Sequence, residues 1–171
     1  SGDWSSDVCS SDLRDFTNKL FIREVFDSFW LNQAEITTYN TFSIDGKLHT
    51  DFLDSDQLQI LQKSGRTYSL WKETRPFCWS VIRGKRTPLS FKIVLQLSKT
   101  QTQALAAQAS LSAAPSAISG LYLNLQFKNK ILLCTTGTAF NTFIPDKRLE
   151  QLWDGMVLDF FSQHQIIFEE M

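Results

Sequence analysis

From Thr74 to Pro145 the chain contains no Asp or Glu over 72 residues, while the same stretch carries Arg75, Arg83, Lys85, Arg86, Lys92, Lys99, Lys128 and Lys130. Histidine is also scarce. His49 and His164 are the only two, far apart, and neither has a second ligand at helical or hairpin spacing, so no metal site is expected. The three cysteines, Cys9, Cys78 and Cys134, have no framework spacing. With Cys9 set aside in the leader read below as foreign, Cys78 and Cys134 suggest buried thiols in a reducing compartment, hence a cytoplasmic protein, and neither sits in a Cys-protease signature. No run of about 18 apolar residues occurs, which argues against a membrane span.

Catalytic patterns are missing too. IRGKRTP and CTTGTAF each carry a single Gly, without the spacing of a phosphate loop. Asp45 and Asp51 read as ordinary turn formers, and Asp154 and Asp159, five apart on a helix, do not share a tight face. No catalytic residue and no cofactor are expected, and the reading leans away from an enzyme.

The first thirteen residues, SGDWSSDVCSSDL, show no hydrophobic periodicity. Asp3 to Leu13 resembles one reading frame of a common sequencing-library adapter, so residues 1–13 are read as a leader foreign to the fold. Setting aside Asp3, Asp7 and Asp12 leaves fifteen acidic against seventeen basic residues, a net charge of +2 instead of −1. Residues 14–171 are long enough for one domain with a sizeable core.

Along that domain, Asp15–Arg23 predicts a short amphipathic helix. FWLNQAEI and TTYNTFSI follow with the two-residue period of strands. Asp45-Gly46 is the strongest tight-turn signal, because a type I′ turn needs positive φ at both central residues, and Lys47–Phe52 is expected to return as its hairpin partner. Asp54 to Lys63 predicts a capped helix closed by Gly65 in a left-handed conformation. Trp71–Arg83 fits a helix with Pro76 in its first turn and Gly84 as its stop, with a strand over Phe77–Ile82 as the alternative. Leu89, Phe91, Ile93, Leu95 and Leu97 alternate with polar or smaller residues as a half-buried strand.

Lys99–Leu111 reads as helix and Ser112–Gly120 as loop. Strands at 121–128 and 131–137 pair across Asn129-Lys130, and Ala139–Ile144 forms a further short strand. A final helix opens at Pro145-Asp146 with a broad apolar stripe from Leu149 to Phe161, and QIIFEE is a candidate closing strand. The fold class is α+β: a mostly antiparallel sheet with four to five helices. The order of elements also suggests two β-α-β-β-β units, with FSIDGKLHTDF aligned on LCTTGTAFNTF. In topology that resembles the sliding clamps that encircle DNA, although no clamp motif is present.

The stretches NKLFI, AEITTYNTFSIDG, YSLWKETRPFCWSVIRGKRTPLSFKIV, TTGTAF and WDGMV together resemble an uncharacterised Firmicutes family known only as a domain of unknown function. The resemblance covers residues 15–171. It implies a bacterial, intracellular protein and carries no activity and no assigned site.

Charge segregation is what remains. Residues 14–73 have a net charge of −2, residues 74–145 of +8 and residues 146–171 of −4. A patch of this kind fits an anionic partner, nucleic acid first, with Arg83, Lys85, Arg86 and Lys92 meeting phosphates and Trp79 stacking on a base. The alternative is that these cations pair with Asp146, Glu150 or Asp154 of the acidic terminal helix. A protein–protein adaptor built on an aromatic patch (Phe26, Phe29, Trp30, Trp71, Phe77, Trp79, Phe160, Phe161), or an undescribed enzyme, are the other function classes. Core positions are the expected fate of those aromatics.

Overall fold

A computed structural model of the chain describes residues 3–6, 10–109 and 117–170. It is an α+β domain built on one seven-stranded sheet. The strands are β1 (Asp3–Ser6), β2 (Trp30–Thr37), β3 (Thr41–Asp45), β4 (Ser90–Gln96), β5 (Ile118–Lys128), β6 (Ile131–Phe140) and β7 (Glu169–Glu170). Their spatial order is β3-β2-β4-β5-β6-β1-β7, and every neighbouring pair is antiparallel. The α-helices among the described residues are α1 (Ser10–Thr17), α2 (Ser55–Ser64), α3 (Trp71–Ile82), α4 (Lys99–Gln108) and α5 (Arg148–Gln163). No helix among them is long and apolar enough to cross a membrane.

The period of two in β4 dictates the layering. Phe91, Ile93 and Leu95 face one side, in register with Phe127, Leu125 and Leu123 of β5, and all six are buried. Ala34 and Ile36 of β2 and Leu132 and Cys134 of β6 extend the same apolar face. Residues from α1, α3, α4 and α5 join it in a single core, in which Trp71, Trp153, Phe21, Phe26 and Phe161 are fully buried. Burying side chains of this size is worth roughly 1.5–3 kcal/mol each. Lys92 and Gln126 point the other way and are exposed, so much of the second face of the sheet remains polar.

Local signals hold where their partners are local. α2 has a reciprocal capping box: the Asp54 carboxylate accepts from the Gln57 backbone N–H at 2.8 Å, and the Gln57 side chain accepts from the Asp54 N–H at 3.1 Å. Gly65 closes it at φ 68°. The β5–β6 hairpin turns on Asn129 (φ 53°) and Lys130 (φ 63°), both left-handed as a type I′ turn demands.

Several expectations are corrected. The hairpin signal at Asp45-Gly46 is not a hairpin: β2 and β3 are joined by the turn at Thr38–Asn40, and residues 47–52 form only a bridge from Lys47 to Tyr68 and a 3₁₀ turn. Gly46 is needed for space. Its N–H donates to the Asn32 carbonyl at 3.0 Å, where β2 is bulged between Leu31 and Gln33, and a Cβ there would lie 1.8 Å from the Leu31 carbonyl oxygen. Pro76 is the sixth residue of α3, inside the helix and past its first turn. The helix starts at Trp71 because Glu73 accepts the Leu70 N–H at 2.8 Å. Residues 77–82 are helical. The strand expected at 139–144 is no separate element, since β6 runs unbroken to Phe140. Leu89 is exposed, so the buried face of β4 begins at Phe91.

The two halves each run β-α-β-β in chain order, but their pairing does not repeat. The leading strand of the second run, β4, lies between β2 and β5, whereas β1 pairs with β6 and β7. α1 runs from Ser10 to Thr17, across the position after residue 13. Residues 110–116, which include the end of the expected 99–111 helix and most of the expected loop, lie outside the described residues.

Two predictions follow from packing. Gly46→Ala should destabilise the fold by about 1–3 kcal/mol because the bulged strand must move. Gly155→Ala, in α5 with nothing within 4 Å of the added methyl, should stabilise it by about 0.5–1 kcal/mol. Urea unfolding of both variants checks the opposite signs. Burial also pushes the Cys78 and Cys134 thiols up to about 12. Peptide mapping after alkylation at neutral pH should find both protected in the native state and modified after denaturation. Their folded pKa values lie above the unfolded ones, so their contribution to stability is intact below about pH 9 and is lost as pH rises toward 12.

Candidate functional site

The apolar face of the sheet is not covered evenly. After α1 the chain makes one π-helical turn, Asn18–Ile22, closed by the Arg23 N–H on the Asn18 carbonyl at 2.9 Å. That turn buries Lys19, Leu20 and Phe21. Lys19 reaches Asp15 at 2.7 Å and donates to the Gln165 carbonyl at 3.0 Å, while the Trp71 indole N–H donates to the Leu20 carbonyl at 2.9 Å. Arg75 of α3 completes the attachment. It makes a bidentate pair with Asp27 at 2.8 and 3.1 Å and donates to the Ile22 carbonyl at 3.1 Å. The Asp27 bond raises the Arg75 pKa further, so this cation is held and charged.

Between the π turn and the end of α3 the cover parts, and a groove of about 480 Å³ opens. One wall is Arg14, Thr17, Asn18 and Ile22. The other is Trp79 and Ile82 in the last turn of α3, followed by the turn from Arg83 to Pro88. Phe91 and Phe127 line it as well, stacked across β4 and β5 with centroids 5.4 Å apart. Gly84 at φ 154° lets the chain reverse from α3 into β4.

Four cations line this groove, Arg14, Arg83, Lys85 and Arg86, and no carboxylate does. All four are exposed and make no ion pair with a described residue. None of the four pairs with Asp146, Glu150 or Asp154, each of which is engaged elsewhere. Asp146 binds Arg148 at 2.6 Å, which holds the Asp146 carboxyl below the usual range. Glu150 meets Lys147 at 3.6 Å and the Thr138 hydroxyl at 3.2 Å, and Asp154 accepts from the Thr136 hydroxyl. Trp79 is half-buried, and its indole N–H has no acceptor among the described residues.

Of the residues singled out in the sequence, Trp79, Arg83, Lys85 and Arg86 therefore meet in one concavity. Lys92 does not. It lies on the opposite face of the sheet, across from Glu35 in register. Arg14, Thr17 and Asn18 were missed because nothing in the sequence signals a π turn, and Phe91 and Phe127 because their periodicity marks them only as core. The aromatic patch considered for an adaptor is mostly interior: Phe26, Phe29, Trp30, Trp71 and Phe161 are buried and Phe160 packs against the core, leaving Phe77 exposed. No group of three or more His, Cys, Asp or Glu among the described residues is placed to hold a metal.

No curated protein and no solved structure matches the chain. A family model does, over residues 19–169, which takes in both lining strands, α3 and the basic turn. The chain belongs to that family, described as a family of unknown function, DUF5721.

Proposed function

We propose that the protein is a non-enzymatic binding module and that the groove holds single-stranded nucleic acid. The observation that carries this reading is the convergence of four cations, none in an ion pair with a described residue, with a half-buried tryptophan in a concavity that no carboxylate lines. Cations free of carboxylate neighbours attract phosphates, and the half-buried Trp79 ring can take the face of an unstacked base. A duplex reader needs a helix or ribbon standing proud to enter a groove. Here the cations rim a hollow, which suits a single strand with its bases splayed. A bacterial, cytoplasmic setting goes with this reading. The shape gives no comparable support to an adaptor or an enzyme.

Fluorescence anisotropy with a labelled oligothymidylate of about ten nucleotides, within the usual span of a single-strand site, tests it. If the four cations each neutralise a phosphate, the logarithm of affinity should fall with the logarithm of salt at a slope of about −3. Replacing Arg83, Lys85 and Arg86 together by Ala should cut that slope to about −0.7. Trp79→Ala should weaken binding by about 1–3 kcal/mol, and Lys92→Ala, on the far face, should leave it unchanged. Absence of binding at low salt, or a loss with Lys92→Ala as large as with the triple variant, refutes the reading.

A further inference from the structure

A second cavity, of about 380 Å³, lies at the other end of β4. Trp30 and Gln96 stand opposite each other there in register, on the face of the sheet that carries Lys92. The chain after α2 folds back beside them, with Leu70 bridged to Trp30 and the Leu31 N–H donating to the Ser69 carbonyl at 2.8 Å. The first turns of α4 supply Lys99 and Gln103, and the start of β5 supplies Gly120.

Trp30 and Gln96 are each only 7% exposed, yet both keep unsatisfied donors. The Gln96 carbonyl oxygen accepts from the Asn32 amide at 3.3 Å, but its NH₂ group has no acceptor among the described residues. The Trp30 indole N–H has none either. The other two fully enclosed tryptophans obey the usual rule, Trp71 donating to the Leu20 carbonyl and Trp153 to the Tyr122 carbonyl, each at 2.9 Å. Thr102 adds no donor to the cavity, since its hydroxyl proton is given back to the Ser98 carbonyl at 2.8 Å. No Asp or Glu lines the space, and Lys99 makes no ion pair with a described residue. α4 begins here as well, and its Ser98 cap satisfies only the Gln101 N–H.

The cavity thus offers buried donors, one positive side chain and the positive end of a helix, with Trp30, Leu97 and Ile118 as apolar surface. A group bound there must bring acceptors and a single negative charge. We propose that this cavity binds a small monocarboxylate with a planar or apolar body, the carboxylate taking the Gln96 amide, the Trp30 indole N–H and Lys99. A phosphate dianion is disfavoured because one lysine balances one charge. The site is separate from the basic groove, at the opposite end and on the opposite face of the sheet, so the two readings stand or fall independently.

Titration of the ¹⁵N-labelled full chain with phenylacetate tests it, with phenylacetamide and inorganic phosphate as comparators. Phenylacetate should shift the Gln96 side-chain NH₂ and Trp30 indole resonances in a saturable way, leaving the Trp79 indole unmoved, and the comparators should not. Gln96→Leu and, at an exposed position safe for folding, Lys99→Met should each weaken phenylacetate binding about tenfold or more, as expected for bonds to a charged group. Still resonances under phenylacetate, equal shifts with phenylacetamide or phosphate, or undiminished affinity in Lys99→Met would overturn the proposal.

Discussion

The alternation of side chains along β4 and β5 places an unbroken apolar face at the centre of the sheet, and that face must be covered. Everything else in the fold answers to it. Trp71 of α3, Trp153 and Phe161 of α5 and Phe21 of the π turn close over it, all of them fully buried. The cover comes from separate pieces, so it has a seam. Where the π turn and the end of α3 diverge, Phe91 and Phe127 are left lining a groove. The Arg75–Asp27 pair ties α3 to the segment that follows the π turn.

Electrostatics then decides what the seam presents. Several acids are engaged away from the groove: Asp27 with Arg75, Asp146 with Arg148, Glu73 with Arg66 at 2.9 Å, and Asp54 with its own helix start. No carboxylate lines the groove beside the turn after α3. A cation with no carboxylate nearby keeps its field available to a partner, and four of them around one concavity sum their effect. The cavity at the far end of β4 shows the complementary condition, with buried hydrogen-bond donors in excess of acceptors. One site concentrates charge at the surface and the other concentrates unsatisfied donors in the interior.

Features were readable from the sequence where the determining contacts are near neighbours. The capping box of α2 spans three residues, the Asn129-Lys130 turn two, and β4 declares itself by a period its own residues carry. Gly46 misled because glycine answers two different needs, positive φ and absence of a Cβ, and only the position of Leu31, fifteen residues upstream, tells them apart. Pro76 misled for a related reason. Proline favours a first turn, but the place where α3 begins was set by Glu73 accepting the Leu70 N–H, and the core then holds Trp71 and Cys78.

Composition alone determined that the middle of the chain would be positive, and that Arg83, Lys85 and Arg86, adjacent on a turn, would sit together. It also showed that Phe91 and Lys92 must point to opposite faces of their strand. Only the tertiary structure decided which face the basic turn folds over. That choice, made by α1, the π turn and α3 packing on the Phe91 side, brings Arg14 and Trp79 to the turn and leaves Lys92 behind. The reason is physical: alternation is a property of one strand, whereas the side on which a covering layer settles depends on contacts between residues distant in the chain, such as Phe21 with Phe91 and Lys19 with the Gln165 carbonyl.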